Sequence, residues 1–317
     1  RLTMETEERN LYWRLTRRVV PTLYRLKGST RALPFVEDIA IPPLILPEFL
    51  VQLQNVLKTH QVTAALFAHA GHGQLHIRPF MDLGNPDDVG KMQDLASDLY
   101  QQVISAGGSV SGEHGAGLSR TWFAHRQHGA LYDVFREVKR IFDPRNILNP
   151  GKVVADAPQP LNMNIRPVVA AMPQVTGTAQ PASPGVPVKP IDLQLIWQED
   201  SILQTASACN GCGRCRTLAP EERMCPIFRF APREEASPRS KANLIRAIFT
   251  GHLDPTELSR DLLKSIADLC VHCHQCRLEC PARVDIPKLM VECKAQYVAT
   301  NGLNLTEWLL ARLDLVS

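Results

Sequence analysis

An α+β domain with an antiparallel sheet, followed by a smaller and mainly α-helical domain, is the architecture that the sequence predicts. Three observations carry this expectation. The chain of 317 residues is long enough for two domains of roughly 100–200 residues each. All nine cysteines fall between Cys209 and Cys293, and the first 208 residues have none. Between the halves, residues 155–190 hold eight of the 24 prolines and only three charged side chains, which reads as a semi-extended linker. The working division is residues 1–154, a Pro-rich linker over 155–190, and residues 191–317.

Composition excludes several classes. Apolar residues make up 44% and charged residues 21%, the balance of a folded chain rather than a disordered one. The longest weakly charged stretches are broken by proline or polar residues, so no segment is suited to span a bilayer. The chain starts at Arg1 with no secretory leader pattern, and the expectation is a cytoplasmic protein, with the inner face of a membrane as the alternative site. A net charge of +3 is too small to suggest nucleic acid. That charge is uneven: residues 1–36 hold eight Lys/Arg against three Asp/Glu. Anionic partners would meet this end first.

The first half alternates strand and helix signals. Residues 62–69 (VTAALFAH) and 74–78 are short β-prone runs on either side of Gly71 and Gly73. A helix is marked next, with Asn85 as cap, Pro86 in the first turn and Asp87 and Asp88 complementing its dipole. Its apolar stripe is Val89, Met92, Leu95, Leu99 and Val103, and it stops at Gly107 and Gly108. A second helix is expected over Leu131 to Phe142, ending before Asp143 and Pro144. Helices should cover one face of the sheet.

The cysteines follow two runs. Cys209, Cys212 and Cys215 precede Cys225-Pro226 in the pattern C-x2-C-x2-C-x9-C-P, and Cys270, Cys273 and Cys276 precede Cys280-Pro281 as C-x2-C-x2-C-x3-C-P. Three thiolates at this spacing let one turn of backbone reach three iron corners of a cubane. In two-cluster proteins the fourth cysteine of each run serves the other cluster. On that pattern Cys209, Cys212, Cys215 and Cys280 hold one [4Fe–4S] cluster, and Cys270, Cys273, Cys276 and Cys225 hold the second. The prolines after Cys225 and Cys280 are expected to end local helices. Zinc is the alternative for paired CxxC elements, but a zinc knuckle uses two cysteines and each run here has three plus Cys-Pro. Arg214, Arg216, Arg239, Lys241 and Arg277 are available to offset cluster charge. Cys293, in an expected helix over 287–298, is left as a buried structural thiol. Residues 240–249 read as a helix separating the runs. This half resembles the α-helical ferredoxin domain of fumarate reductase iron–sulfur subunits and related dehydrogenases.

In the first half, His69 and His76 flank a glycine turn, and Glu113 and His114 sit in a second glycine-rich loop, SGEHGAG. Two histidines and a glutamate form a ligand set for Zn²⁺ or a similar divalent ion with one position open. Glycine permits close approach and unusual φ there. His72, His125 and His128 have no such context and read as ordinary. The phrases AHAGHGQLHIR and SGEHGAG, with FDPRNILNPGK at 142–152, resemble the C-terminal substrate domain of FAD-linked oxidases of the vanillyl-alcohol-oxidase type. Within these the chain is similar to the D-2-hydroxyacid dehydrogenases, which act on D-lactate, glycolate or D-2-hydroxyglutarate.

The resemblance implies an oxidoreductase with FAD, two [4Fe–4S] clusters and a divalent metal such as Zn²⁺. Residues matching His69, His76 and Glu113 would bind the metal, which holds the hydroxyl and carboxylate of a small D-2-hydroxy acid. The residue matching His114 would take the hydroxyl proton while hydride leaves C2 for the flavin. Asn149 and Lys152 would lie near the flavin. Arg17, Arg18 and Arg31, from a pool that includes Arg14 and Lys27, would grip the substrate carboxylate. Val36 and Glu37 stand where the family carries a basic anchor. Electrons would leave singly through the clusters to a quinone, cytochrome or carrier protein. The family binds the FAD pyrophosphate on a separate N-terminal domain, so the chain is expected to be an internal fragment of a larger enzyme. A non-catalytic iron–sulfur electron-transfer subunit is the alternative.

Overall fold

The computed structural model describes residues 3–26, 28–157, 159–166, 191–197 and 201–312. The expected linker therefore lies, from residue 167 to 190, outside the described residues. The chain forms two compact units, residues 26–166 and residues 1–25 with 167–317. Helix α1 (Thr6–Leu23) groups by its contacts with the cysteine-bearing half. None of its residues is buried, so its pattern does not announce which core it joins, and just past its end Arg25 Nε donates to the Pro281 carbonyl at 3.3 Å.

In the unit of residues 26–166 the order is β1 (Arg31–Ala32), β2 (Ile39–Ala40), α2 (Leu46–Thr59), β3 (Ala64–His69), β4 (Gln74–Met81), α3 (Pro86–Ser105), α4 (Gly117–His128) and α5 (Leu131–Phe142). Strand β4 is the common partner, and every pairing is antiparallel. Its residues alternate: Leu75, Ile77 and Met81 are buried, whereas His76 and Arg78 point to the other face. The apolar face packs with Phe49 and Leu53 of α2 and with Leu95, Leu99 and Val103 of α3. Tyr100 packs against Phe123 of α4, ring centroids 4.4 Å apart and tilted by 48°, and donates to the Phe35 carbonyl at 3.0 Å. Asn85 caps α3 as its sequence predicts, accepting from the Asp87 N–H.

Strand β4 runs three residues beyond the Arg78 end expected from sequence. Proline normally marks a strand's limit because it lacks an N–H. Here Pro79 needs none, since the next ladder bond is made by Phe80 N–H to the Thr63 carbonyl at 2.8 Å, and the Pro79 carbonyl accepts from Leu33 N–H at 2.8 Å. Strands β1 and β2 have two residues each, too few for any period to show.

One carboxylate fastens the loop that follows α3. Asp38 is fully buried, has φ +67°, and accepts from Gln74 Nε2 (2.8 Å), Ser111 Oγ (2.9 Å), Glu113 N–H (2.8 Å) and His114 N–H (2.8 Å). Its backbone carbonyl accepts from Gly112 N–H at 2.7 Å. Burial pushes the carboxyl pKa up, but the four donors outweigh it and hold the group below its ordinary value. Gly112 fits because even a methyl there would press on Gln74 Nε2 and Asp38 Oδ1.

In the other described unit, α1 is followed by α6 (Ile202–Ser207), α7 (Pro226–Phe230), α8 (Pro238–Phe249), α9 (Asp261–Asp268), α10 (Gln275–Glu279), α11 (Ile286–Asn301) and α12 (Leu305–Leu310). The core gathers Ile202 and Ala206, Ala242, Ile245 and Ile248, Leu263 and Ala267, and Leu289, Met290 and Cys293. Cys293 is thus a core side chain, its thiol pushed up to about 12 by burial. The adjacent Glu292 is 1% exposed and satisfied by the N–H groups of Gln194 (2.8 Å) and Leu195 (3.0 Å) and by Trp197 Nε1 (3.0 Å). No described helix is long and apolar enough to cross a membrane.

Pro281 follows α10 and ends it, as expected, but Pro226 behaves otherwise. It occupies the first position of α7, where an N–H has no helical partner, and Cys225 at φ +55° caps the helix with its sulfur. Two stability outcomes follow. Leu99→Ala, at a fully buried site, should cost about 2–5 kcal/mol in urea unfolding of the unit of residues 26–166. Asp38→Ala strands four donors, each worth about 1–3 kcal/mol when left unsatisfied, so its loss should exceed that of an ordinary surface substitution by at least about 3 kcal/mol in the same assay.

Candidate functional site

Two places in the chain bring chemically active side chains together, one in each unit. The first is the solvent side of the β3–β4 hairpin. Its register pairs Phe67 with His76 and His69 with Gln74, so His69 and His76 are diagonal neighbours on one face. Their rings lie 5.4 Å apart, with Phe67 packed against both. The turn between them depends on Gly73, at φ +70°, where a Cβ would sit 1.7 Å from the Ile41 carbonyl oxygen.

The loop pinned by Asp38 delivers Glu113 and His114 to this face. Ligand atoms of His69, His76 and Glu113 converge within 4.8 Å of one another. A second convergent set is Asp38, His76 and His114, but the Asp38 oxygens are already engaged by the four donors described above. The first set therefore fits a divalent cation better. Burial lowers the His76 pKa, with His114 and His69 adding to the effect and Glu37 and Asp38 opposing it, which favours the neutral imidazole that metals need. His114 lies beside the set, 5.5 Å from His76 ring to ring, with Nε2 4.0 Å from Glu113 Oε2.

Glu37 stands behind His114, with Oε1 3.3 Å from Nδ1, and its other oxygen pairs with Arg78 at 2.7 Å. A carboxylate there favours a proton on Nδ1 and leaves Nε2 as the accepting nitrogen. Arg120, also buried, donates to the Glu37 carbonyl at 3.0 Å and lies 3.5 Å from Asp38. These four residues were not marked as site residues by sequence reasoning. Only Arg78 had a usable signal, two positions after His76 on the same strand face. Where a basic anchor was expected before Asp38, the chain has Glu37, and Arg78 supplies the positive charge from a neighbouring strand.

Of the expected carboxylate-gripping arginines, Arg31 is not gathered here. Arg17 and Arg18 belong to α1, in the other unit, and Lys27 lies outside the described residues. Arg31 pairs with Met81 at the far end of β4 from Gln74, and its Nη1 turns back to the carbonyls of Leu26, Gly28 and Thr30. Asn149 and Lys152 occupy an exposed loop after α5, joined by a 3.2 Å bond from Lys152 Nζ to Asn149 Oδ1. That loop is held by Asp143, which accepts from Ile147 N–H (3.0 Å) and Leu148 N–H (2.8 Å).

The second place is the cysteine region. Cys209, Cys212, Cys215 and Cys280 line one hollow, and Cys225, Cys270, Cys273 and Cys276 line another, with Cys276 bordering both. No disulfide joins any of the nine. Each knuckle uses left-handed backbone at the same two places: Gly211 and Gly213 at +76° and +75°, and His272 and His274 at +51° and +60°. Burial raises the Cys215 thiol to about 11, helped by the neighbouring thiols and opposed by a backbone hydrogen bond from Arg239, and burial with four neighbouring thiols raises Cys276 further.

The hollows suit a cubane in two respects. A tetrahedral zinc site with Zn–S near 2.3 Å draws its sulfurs to about 3.8 Å of one another. Among the described residues, the only sets of three ligand atoms within 4.8 Å are the two histidine–carboxylate sets, so no three of the sulfurs gather that closely. In addition, His272, which lines the second hollow, keeps its Nε2 buried without a hydrogen-bond partner, as suits a residue beside an anionic cluster.

Residues 1–153 match the sequence model of the FAD linked oxidases, C-terminal domain, and residues 205–284 match that of the 4Fe-4S dicluster domain. D-2-hydroxyglutarate dehydrogenase of Pantoea ananatis is 26% identical over 309 residues, which is 87% of this chain and 29% of that protein. Its counterpart in Pseudomonas putida is 25% identical over 338 residues, covering 95% of this chain and 31% of the relative. Glycolate oxidase subunit GlcD of Bacillus subtilis is 30% identical over 155 residues, covering 48% of this chain and 32% of the relative. The chain thus spans less than a third of the length of these relatives. With its histidine–glutamate face in the first matched region and its eight paired-off thiols in the second, the chain carries the C-terminal domain of the FAD-linked oxidases joined to a 4Fe-4S dicluster domain.

Proposed function

We propose that the chain is the substrate-holding and electron-exporting portion of a flavin-dependent D-2-hydroxyacid dehydrogenase. The observation that supports this most is the convergence of His69, His76 and Glu113 within 4.8 Å, with His114 alongside, in the same chain as two hollows of four thiols. A divalent cation such as Zn²⁺, held by those three side chains with a position open, would lower the pKa of a coordinated hydroxyl. His114, with Glu37 behind Nδ1, presents Nε2 to take that proton. Arg78, paired with Glu37, sets a positive charge on the same strand face and is our candidate for orienting the substrate carboxylate, in place of Arg17, Arg18 and Arg31.

The flavin, when bound, accepts hydride and gives up electrons one at a time. Asn149 and Lys152 are proposed to meet it from the loop after α5. Cys209, Cys212, Cys215 and Cys280 are proposed to hold one [4Fe–4S] cluster and Cys225, Cys270, Cys273 and Cys276 the other, which carry single electrons to a quinone, cytochrome or carrier protein. Two relatives that extend over nearly all of this chain are named for D-2-hydroxyglutarate, which makes it the first substrate to try beside D-lactate and glycolate.

In the full-length protein, His114→Ala should slow flavin reduction by the D-2-hydroxy acid about 10²–10⁴-fold, while dithionite still bleaches the clusters. Unchanged turnover would instead make the first region a docking module. Glu113→Gln and His69→Ala should each lower bound divalent metal, read by elemental analysis after gel filtration. The purified wild-type chain should contain about eight iron and eight acid-labile sulfide, and Cys280→Ala should lose close to half of each.

A further inference from the structure

Of the five basic residues that the sequence offers to offset cluster charge, four are tied to carboxylates. Arg214 pairs with Glu222, Arg216 with Glu234 at 3.1 Å, Arg239 with Glu234 at 2.9 Å, and Arg277 with Asp285 at 3.4 Å. Lys241 differs. It is 2% exposed, its Nζ donates to the Ala236 carbonyl at 2.8 Å, and no carboxylate lies within 4.0 Å of it among the described residues.

Its position is unequal with respect to the two hollows. Lys241 lines that of Cys225, Cys270, Cys273 and Cys276, whereas the cation lining the other is Arg239, which is partly exposed and shares Glu234 with Arg216. The link is short: the Ala236 carbonyl that accepts from Lys241 also lies 3.5 Å from Cys225 Sγ. Helix α8 holds the lysine there, because Ser237 caps that helix through its hydroxyl and Ala242 and Ile245 fill the core on the following positions. Burial lowers the pKa of the ammonium, and the thiolates of Cys225, Cys270, Cys276 and Cys215 oppose it. A buried ion without a carboxylate partner is costly, so its charge is best answered by an anion inside the hollow.

Reduction adds one negative charge to a cubane, with no proton or bond exchanged, and a fixed positive charge in a poorly screened interior favours the reduced state. We propose that Lys241 holds the cluster of Cys225, Cys270, Cys273 and Cys276 at a higher reduction potential than its neighbour, so that the first electron given to the pair resides there. This rests on the two-cluster reading above. Lys241 acts as a positioning charge rather than as a ligand.

The test is a dithionite titration of the full chain, prepared anaerobically and followed by electron paramagnetic resonance. Cys280→Ala identifies which signal belongs to which cluster. In wild type, the first signal to appear should be the one that survives in Cys280→Ala. Lys241→Met should make that cluster at least tenfold harder to reduce relative to wild type, about 59 mV for a one-electron couple, and should move the other less. Lys241→Arg should restore most of the difference. The proposal is overturned if the other cluster reduces first in wild type, or if Lys241→Met shifts both equally or neither. Should Lys241→Met fail to retain iron, the wild-type order and the Lys241→Arg titration still decide. Absence of iron and labile sulfide from wild type would overturn the two-cluster reading itself.

Discussion

The buried carboxylate of Asp38 is the constraint on which the histidine face depends. Strand β4 and its hairpin fix His69 and His76 by register alone, but Glu113 and His114 come from a loop more than thirty residues further on. A glycine-rich loop has no reason to settle against a strand unless its polar backbone is answered there. Asp38 answers it, taking the N–H groups of Glu113 and His114 and the hydroxyl of Ser111 at 2.8–2.9 Å. Its left-handed backbone, at φ +67°, is a conformation that aspartate tolerates better than a branched side chain. The strain is accepted where the hydrogen bonds over-determine it.

Much of this could be read from the chain, because the informative signals are local. Asn85, Pro86 and the stripe from Met92 to Val103 define α3 without reference to anything else, and residues 131–142 form the helix that their pattern indicates. The eight thiols were divisible by spacing, and each of those sets of four lines one hollow, with Cys276 bordering both. His69, His76, Glu113 and His114 stood out because histidine and glutamate in glycine turns are seldom there for packing.

What escaped was set by distance along the chain. Glu37, Asp38 and Arg120 meet the site through contacts spanning 36 to 83 residues, and no period or neighbouring residue marks such a contact. Pro226 misled because the same residue that stops one helix is well suited to begin another. Pro79 misled in a like manner, since the ladder of β4 continues through its neighbours.

The two cysteine knuckles share one backbone shape but not one sequence. Where the first has Gly211 and Gly213, the second has His272 and His274 in the left-handed region, a conformation that costs a non-glycine residue about 1–2 kcal/mol. The knuckles also exchange partners, since Cys280 closes the hollow of the first run and Cys225 that of the second. Such an exchange makes the two chambers a mutual clasp. Neither chamber is complete from its own run alone, so both runs must be folded together before either has its four thiols.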